Sequence, residues 1–413
     1  MPTPSEDNNE NSKSYDSLIS KEEEAKIFSM ETVDFVKKYD ANSRNLRKRK
    51  TSPIAKRLHM ESICVVSKLH ELKWYNYLEY GIIACTLMPL RLIATGLSII
   101  FCYFLMMTAI MFEGLERKYI NNPNSEHYGK PVHRIPKTKW RRSIINVLSK
   151  STSKFIMFFG LGFYNVKVKD LRKKDKNGKP ITAPLIIANH SSLVDVLAIC
   201  SYYETTPSFL AMDWIRTTPF VGGLANAIQC IYVKPDKKTG LTHEISSRAK
   251  ESEKYELPPF VIFPEGTTTN GTHLIDFKYG AFRPFVPVQP IAIKYKYKYY
   301  NPSYVVDRGF IYVLKTAMQF KNNLEIVFLP VVELETEEEK TNIQVWTEKN
   351  YQILAKELDI PLDRICTRPQ KMLYLNYIRG KSDFETTERE IYKLYNQRLE
   401  EGKNSVSINE NNS

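Results

Sequence analysis

The sequence predicts an α/β fold: a mixed, largely parallel sheet covered by helices, with an N-terminal hydrophobic helical segment that anchors the chain to a membrane. Short apolar strands alternate with helical segments between residues 120 and 335, as in sheets that are buried on both faces. A long apolar run precedes them. The chain has 413 residues, 43% of them hydrophobic and 25% charged. This composition excludes a wholly disordered, collagen-like or coiled-coil protein.

Residues 1–60 are predicted to be a disordered N-terminal tail, because their polar start shows no apolar periodicity. No apolar core of a secretory signal follows Met1. The stretch 44–57, RNLRKRKTSPIAKR, is strongly basic, and three interpretations stay open: a nuclear-localisation or nucleic-acid arm, a segment on anionic lipid, or a solvated linker. The net charge of +13 likewise favours an anionic partner, either nucleic acid or a phospholipid surface.

Residues 61–119 are predicted to form the membrane-anchoring helical segment. From 81 to 112 the only formal charge is Arg91, and the part after it is long enough to cross a bilayer. Interfacial aromatic residues precede this run. Pro89 and Arg91 divide it, so a single crossing, a re-entrant hairpin and two short interfacial helices all stay open. Lys and Arg are similarly frequent on both flanks, which leaves the orientation undetermined.

Residues 120–335 are predicted to form the α/β domain, followed by a helical extension over 336–400 and a polar tail over 401–413. The expected elements of the domain are apolar strands at 183–188, 259–263, 288–295 and 324–332, a buried helix at 194–203 and a charged surface helix at 238–256. The alternation KYKYKYY at 294–300 predicts an edge strand guarded by lysines. Stacking on single-stranded nucleic acid is the alternative for that segment.

The cysteines and histidines show no metal-binding pattern. The six cysteines form no CxxC pair and are too few for a disulfide scaffold, and no calcium loop of the form D-x-D-x-D-G occurs. The histidines without ligand spacing are His127, His133, His243 and His273. We therefore expect neither a metal nor a resident cofactor. These histidines are interpreted as surface or loop residues, although His273 can line a site because it lies near the second motif below.

The first motif is NHSSLVD at 189–195, which follows the strand that ends at Ala188. His190 is thus placed at the carboxyl end of a strand, where α/β sheets carry their sites. One helical turn can fold the Asp195 carboxylate back to the imidazole, where it holds one tautomer and stabilises the imidazolium. We interpret the pair as a general base and its orienter. The alternative is a helix-capping aspartate beside a structural histidine. No G-x-S-x-G elbow supplies a serine nucleophile.

The second motif is FPEGTTTNG at 263–271, directly after the strand at 259–263. It offers a carboxylate, a glycine that permits close backbone approach, and several hydroxyls at a second strand end. Such a loop suits a polar ligand that carries hydroxyl or phosphate groups. An ordinary strand–loop turn is the alternative.

The two motifs resemble those of the glycerophospholipid acyltransferases, the family that includes bacterial and eukaryotic lysophosphatidic acid acyltransferases. NHSSLVD is similar to their NHxxxxD motif, and FPEGTTTNG, about 75 residues later, is similar to FPEGT. The stretches 207–234 and 288–293 resemble the second and fourth blocks of the family. A subgroup, the lysophosphatidylcholine and lysophosphatidylethanolamine acyltransferases, is resembled by LMPLRL (87–92), FKYGAF (277–282) and LEIVFLPV (324–331). The likeness covers about 85–335.

The resemblance implies a glycerolipid acyltransferase fold and metal-free acyl transfer from acyl-CoA to the hydroxyl of a lysophospholipid. It implies that His190 is the catalytic base and that Asp195 orients it. The substrate-binding residues that it implies are Glu265, Gly266, Thr267, Thr268 and Lys234. The expected partners are acyl-CoA, a lysophospholipid and the lipid bilayer, and not nucleic acid. The expected location is a membrane, that of the endoplasmic reticulum, with the side that the site faces left open.

Among the positions that depart from the family pattern, which include the acidic Asp213 where relatives commonly carry lysine nearby, two bear on the acceptor. Lys234 ends the second block where relatives usually have arginine, so a cation is kept but the bidentate fork is lost. Thr268 stands where phosphatidic-acid-forming members usually have arginine. We therefore expect lysophosphatidylcholine or lysophosphatidylethanolamine as acceptor. The alternatives are a lysophosphatidic acid, glycerol 3-phosphate or lysocardiolipin acyltransferase, and a non-catalytic membrane or lipid-droplet scaffold of the same fold, which has no need of an intact His190 and Asp195.

Overall fold

The structure is a computed structural model, and it describes residues 73–111, 116–119, 131–135, 139–233, 241–250, 252, 257–297, 300–307, 309–363, 368–378, 381–383, 386–387, 389–391 and 393–394. The predicted tails at 1–60 and 401–413 lie outside these residues, and the predicted domain boundaries stay predictions. The chain forms two units. One is Leu72–Leu362, and the other comprises residues 1–71 and 363–413 and includes the helix Arg368–Ile378. The sheet and both motifs belong to the first unit.

A seven-stranded sheet forms the centre of the first unit. In spatial order its strands are β3 (Asn165–Asp170), β10 (Asn323–Phe328), β9 (Val288–Lys296), β4 (Leu185–Ala188), β7 (Phe260–Ile262), β5 (Ser208–Met212) and β6 (Ile231–Val233). The strands from β9 to β6 run parallel, whereas β10 pairs antiparallel with β9 and parallel with β3. The predicted mixed, largely parallel sheet is thereby confirmed, and the predicted strands are β4, β7, β9 and β10.

Helices accompany the sheet along the chain. The helices described in the first unit are α1 (Trp74–Cys85), α2 (Leu87–Met111), α3 (Lys139–Phe155), α4 (Val194–Tyr202), α5 (Asp213–Thr217), α6 (Val221–Ala227), α7 (Leu241–Lys250), α8 (Gly309–Ala317), α9 (Glu337–Thr341) and α10 (Ile343–Leu358), with a π-helical turn at Ile156–Gly160 and a 3-10 turn at Tyr279–Ala281. Shorter strands are β1 (Glu116–Tyr119) and β2 (Pro131–Ile135), which pair antiparallel, β8 (Leu274–Ile275) and β11 (Leu362–Asp363).

The two faces of the sheet carry separate apolar clusters. Successive side chains of a strand point to opposite faces. Accordingly, Leu185 of β4 packs in a cluster with Trp346 of α10, and its neighbour Ile186 packs in a second cluster with Ile199 of α4. Both faces are covered, which explains why β4 and β7 are apolar at every position rather than at alternate ones. The predicted surface helix is α7, yet its Arg248 is buried and donates to Ser208 Oγ at 2.8 Å.

The expected edge strand at 294–300 begins as the end of β9, which lies between β10 and β4 in the sheet. Residues 294–296 pair with β10, but the pairing of β9 with β4 ends at Ile291, so this end of β9 has a paired strand on one side only. Two of its lysines lie near carboxylates: Lys294 Nζ is 3.3 Å from Glu357 Oε1, and Lys296 Nζ is 3.3 Å from Glu325 Oε2. The alternation in the sequence thus reflects the two faces of one strand end.

The apolar segment divides at Thr86 and not at Pro89 or Arg91. The chain bends between α1 and α2 at Thr86, whose hydroxyl donates to the Ile82 carbonyl at 2.7 Å. Pro89 lies in the first turn of α2, where a backbone N–H has no intrahelical acceptor to lose. Within α2, residues Leu87–Ala109 are long and apolar enough to cross a membrane, and 17% of the most apolar window is buried.

One side of α2 packs against the rest of the first unit along the whole helix. Its buried positions, Arg91, Cys102, Met106 and Ala109, are separated by intervals that keep them on one face. Between them, Thr95 meets Gly160 of the π-helical turn so closely that a Cβ on that glycine would lie 2.1 Å from Thr95 Oγ1. The exposed large apolar residues on α2 are Leu90, Ile93, Leu97, Phe101, Phe104 and Leu105. The helix therefore has one protein-facing side and one apolar side that is open to its surroundings.

Candidate active site

Both motifs lie at one edge of the sheet, where three adjacent parallel strands end. The first motif follows β4, the second follows β7, and the segment 300–307 follows β9. The carboxyl ends of neighbouring parallel strands meet at the same edge, which is the usual place for sites in α/β sheets. The spatial order β9-β4-β7 thus brings together segments that are far apart in sequence.

His190 and Asp195 lie in contact. His190 Nδ1 is 2.9 Å from Asp195 Oδ2, and the same oxygen accepts the backbone N–H groups of Ser191 and Ser192 at 2.8 Å each. Asp195 is fully buried, whereas 18% of the His190 side chain is exposed. A carboxylate that accepts two backbone donors is an acceptor towards the ring as well, so Nδ1 carries a proton and Nε2 keeps its lone pair.

The second oxygen of Asp195 is held by a residue that the sequence analysis missed. The Tyr295 hydroxyl, on β9, donates to Asp195 Oδ1 at 2.5 Å. Burial, together with the nearby Asp195 charge, raises the pKa of Tyr295 well above its usual value. The phenol therefore stays protonated and acts as a donor. The trace of this residue in the sequence is its place opposite the lysines in the KYKYKYY alternation.

Asn189, the first residue of NHSSLVD, ties the motif to the same strand. Its side-chain amide donates to the Ile293 carbonyl at 2.9 Å and accepts the Ile293 N–H at 2.8 Å. The amide thus pairs with the backbone of β9 in both directions, as a neighbouring strand would. This fixes the start of the loop that carries His190.

The ring of His190 stacks on the first residue of the second motif. The ring centroids of His190 and Phe263 are 3.9 Å apart, with an interplanar angle of 14°. The backbone N–H of His190 donates to Glu265 Oε1 at 2.8 Å, and Glu265 is 2% exposed. The second motif therefore holds His190 through its ring and through its main chain.

Gly266 makes a turn that another residue type would strain. Its φ is +64°, and a Cβ built on it would lie 2.5 Å from Lys278 Nζ. The backbone N–H of Lys278 donates to the Pro264 carbonyl at 2.9 Å, which fixes this contact. The positive φ favours a glycine here, and the lysine side chain approaches the space that a Cβ would occupy. Lys278, within the FKYGAF stretch, places a cation beside the loop, and sequence reasoning did not single this residue out. Thr267, the next residue of the loop, is half-buried.

Thr268 connects the second motif to the segment after β9. Its hydroxyl donates to the Tyr304 carbonyl, and the Tyr304 N–H donates to the Ser191 carbonyl at 2.8 Å. The N–H of Thr269 donates to the His190 carbonyl at 2.9 Å. The three segments at the sheet edge are therefore joined by main-chain bonds and form one structure.

Other candidates from the sequence are placed differently. Lys234 lies outside the described residues. His273 pairs with its neighbour Thr272, whose Oγ1 lies 3.0 Å from His273 Nδ1, and burial lowers the pKa of His273 to about 4. Ser192 Oγ lies 2.6 Å from Tyr312 Oη, so this hydroxyl is engaged in the core. Within the described part of the chain, no group of three or more His, Cys, Asp or Glu side chains is arranged to hold a metal ion.

Comparison with known proteins points to one family. Residues 165–294, from β3 into β9, match the family model described as Acyltransferase. The lysophospholipid acyltransferase LPEAT1 of Arabidopsis thaliana is 27% identical over 70% of this chain and 77% of that protein. The lysophosphatidylcholine acyltransferase of Drosophila melanogaster is 30% identical over 75% of this chain and 52% of that protein. LPEAT2 of Arabidopsis thaliana is 29% identical over 54% of this chain and 40% of that protein.

The chain spans about half the length of most curated relatives that it matches. Among solved structures, the 1-acyl-sn-glycerophosphate acyltransferase PlsC from Thermotoga maritima aligns with a TM-score of 0.36 and 17% identity, over 64% of this chain and 97% of that chain. The segment that matches the family model contains His190, Asp195 and the loop at Glu265. Residues 165–294 therefore match the acyltransferase family model, and the chain is similar in sequence to lysophospholipid acyltransferases.

Proposed function

We propose that the chain is an acyl-CoA-dependent acyltransferase that acylates the free hydroxyl of a lysophospholipid. The observation that carries the proposal is the His190–Asp195 pair, 2.9 Å apart, at the carboxyl edge of the sheet and partly open to solvent. A base with its orienter at this position suits abstraction of a proton from an acceptor hydroxyl. The sequence similarity to lysophospholipid acyltransferases supports the choice of acceptor class.

In the proposed reaction, His190 Nε2 takes the proton of the acceptor hydroxyl while its oxygen attacks the thioester carbonyl carbon of acyl-CoA. The carbon–sulfur bond of the tetrahedral intermediate then breaks, and the leaving thiolate of CoA receives the proton. Asp195 stabilises the imidazolium between these steps, and Phe263 holds the plane of the ring. Acyl-CoA is a co-substrate. Because a thioester is already activated, this scheme needs neither a covalent acyl-enzyme nor a resident metal or cofactor.

The loop after β7 is proposed to hold the glycerol and phosphate side of the acceptor. Glu265 supports the backbone of His190, Gly266 allows close approach, and Thr267 offers a hydroxyl. Lys234 and Lys278 add positive charge to the binding side in this proposal.

The proposed acceptors are lysophosphatidylcholine and lysophosphatidylethanolamine. Lysophosphatidic acid carries a phosphate monoester, which favours a guanidinium that grips two oxygens at once. Here the positions that are often arginine in relatives are Lys234 and Thr268. The lower fixed charge suits the single charge of a phosphodiester headgroup.

The proposed location is a membrane, that of the endoplasmic reticulum. Support comes from α2, of which Leu87–Ala109 is long and apolar enough to cross a bilayer. An acceptor and a product that reside in the bilayer also call for an enzyme at its surface.

A membrane-fraction assay with labelled acyl-CoA tests the proposal. The acceptor panel contains lysophosphatidylcholine, lysophosphatidylethanolamine, lysophosphatidic acid, lysocardiolipin and glycerol 3-phosphate. We expect product with the first two, and a fall of roughly 10²–10⁴ in rate for His190→Ala. Preference for another acceptor on the panel would keep the proposed acyl transfer but would contradict the proposed choice of acceptor. No transfer to any acceptor by a folded protein would favour a non-catalytic scaffold.

A further inference from the structure

We propose that Tyr295 is a positioning residue of this site, because its hydroxyl fixes the Asp195 carboxylate and thereby the ring of His190. The inference rests on the function proposed above. Asp195 has two oxygens with separate partners: Oδ1 accepts Tyr295 at 2.5 Å, and Oδ2 faces His190 Nδ1 at 2.9 Å. Because Asp195 is fully buried, protein donors hold both oxygens and set the rotation of the carboxylate.

The strand β9 explains how one residue can control this geometry. Asn189 pairs in both directions with the backbone of Ile293, and Tyr295 stands two residues further on the same strand. Positions two apart point to the same face of a sheet. The first and last residues of NHSSLVD are therefore both held by β9, which is itself paired with β10 and β4. The spacing between the two ends of the motif is set by a single interior strand.

Several groups surround the pair from neighbouring elements. The N–H groups of Ser191 and Ser192 donate to Asp195, Tyr312 lies behind Ser192, and Glu265 accepts from the backbone of His190. Of the donors to Asp195 named above, the Tyr295 hydroxyl is the one that comes from outside the motif. This hydroxyl draws negative charge towards Asp195 Oδ1, so less negative charge remains on Oδ2 to stabilise the imidazolium of His190.

The test is kinetic. In Tyr295→Phe, Asp195 keeps its charge but loses one donor and can rotate, so we expect kcat to fall about 10-fold to 100-fold with little change in either KM. The carboxylate no longer shares its charge with a phenol and holds the imidazolium more strongly. The base is then neutral only at higher pH, so the acid limb of the pH profile of kcat/KM moves to higher pH. A purely structural role of Tyr295 would lower the amount of active protein without moving this limb.

Two comparisons sharpen the test. Tyr300→Phe removes a different phenol that donates to a carboxylate, Asp307 Oδ2 at 3.1 Å, and the pH profile of that variant should be unchanged. In an Asp195→Asn background, Tyr295→Phe should cause little further loss, because residues that act as a unit are not additive.

If Tyr295→Phe does not fold, 3-fluorotyrosine at position 295 replaces it. This side chain keeps the size of tyrosine and donates more strongly, so the acid limb should move to lower pH. A wild-type rate and pH profile in Tyr295→Phe would overturn the inference. An acid limb that does not move with 3-fluorotyrosine would also overturn it. So would a double variant, Asp195→Asn with Tyr295→Phe, whose kcat falls by the full product of the two single losses. Absence of acyl transfer by the wild-type protein would instead contradict the proposed function.

Discussion

Four donors converge on the buried carboxylate of Asp195: one imidazole, two backbone N–H groups and one phenol. An amide has only one oxygen that accepts, so Asp195→Asn must set its NH₂ group against at least one of these donors. We expect kcat to fall by roughly 10²–10⁴. We also expect the free energy of unfolding to fall by about 1–3 kcal/mol, because a buried donor loses its acceptor.

The measurements are steady-state kinetics and urea unfolding on the same preparation. Asp213→Asn is the matched control, since Asp213 is only partly buried and lies at the start of α5. Wild-type turnover in folded Asp195→Asn would contradict the role of the pair.

Thr268 is the residue at which acceptor choice can be tested. Thr268→Arg adds a guanidinium beside the loop after Gly266, and we expect the ratio of lysophosphatidic acid to lysophosphatidylcholine acylation to rise. The substitution also removes the hydrogen bond to the Tyr304 carbonyl. Thr268→Val removes that bond without adding charge, so it separates the two effects. An unchanged ratio in Thr268→Arg, or an equal change in Thr268→Val, would place the discriminating contact elsewhere.

At the residue scale, sequence reasoning located the motif that brings His190 and Asp195 together, because both lie within one helical turn of a strand end. It did not identify Tyr295, because that contact joins residues 100 positions apart and depends on β9 lying beside β4. The role of Asn189 was missed for the same reason, since its partner Ile293 is 104 positions away. Strand order is a tertiary property that local periodicity does not contain.

At the element scale, Arg91 joins the apolar helix α2 to the end of α8. Its guanidinium donates to the carbonyls of Ala317 at 2.6 Å, Gln319 at 2.7 Å and Phe320 at 3.0 Å, and to Tyr164 Oη at 2.7 Å. The last carbonyls of a helix have no intrahelical donor and carry partial negative charge. Arg91 supplies both the donors and the charge, which explains a buried arginine in an otherwise apolar helix.

We expect Arg91→Met to lower the free energy of unfolding by about 3 kcal/mol, because it leaves buried carbonyls without donors. Arg91→Lys should recover only part of this loss, since an ammonium lacks the planar fork. Leu90→Met, on the exposed side of the same helix, is the control and should change little. Thermal unfolding of the detergent-solubilised protein measures all three. Equal stability of Arg91→Met and Leu90→Met would contradict this account.

The elements that the sequence predicted well are those whose burial is uniform, such as β4, β7 and α4. The sequence analysis took Arg91 for an interruption of an apolar run, because the carbonyls that it contacts lie more than 220 residues away. The segment predicted as an edge strand at 294–300 begins as the end of β9, which pairs with β10 but extends past the last residue that pairs with β4. The alternation in the sequence does not distinguish such a strand end from a separate edge strand.

At the scale of the whole molecule, α2 should anchor the chain to membranes. We expect the full-length protein to stay in the pellet after alkaline carbonate washing, and deletion of residues 1–60 not to release it, because electrostatic attraction only supplements apolar burial. The fractions are measured by immunoblot, with a peripheral membrane protein as control. Release of the intact protein by high salt would show that charge alone holds it.

The packing of α2 along its full length also limits how deep the molecule can sit. The neighbouring helix α3 carries Arg142, Lys150 and Lys154, and charges of this kind are expensive in hydrocarbon. We therefore expect α2 to lie in the plane of the bilayer surface, with Leu97 and Phe101 dipping into one leaflet. In the proposed reaction, every turnover would replace a single-chain, wedge-shaped lysophospholipid by a two-chain, cylindrical phospholipid in that leaflet alone. The area of one leaflet would then grow relative to the other, and sustained turnover would bend the membrane until lipids are moved across it.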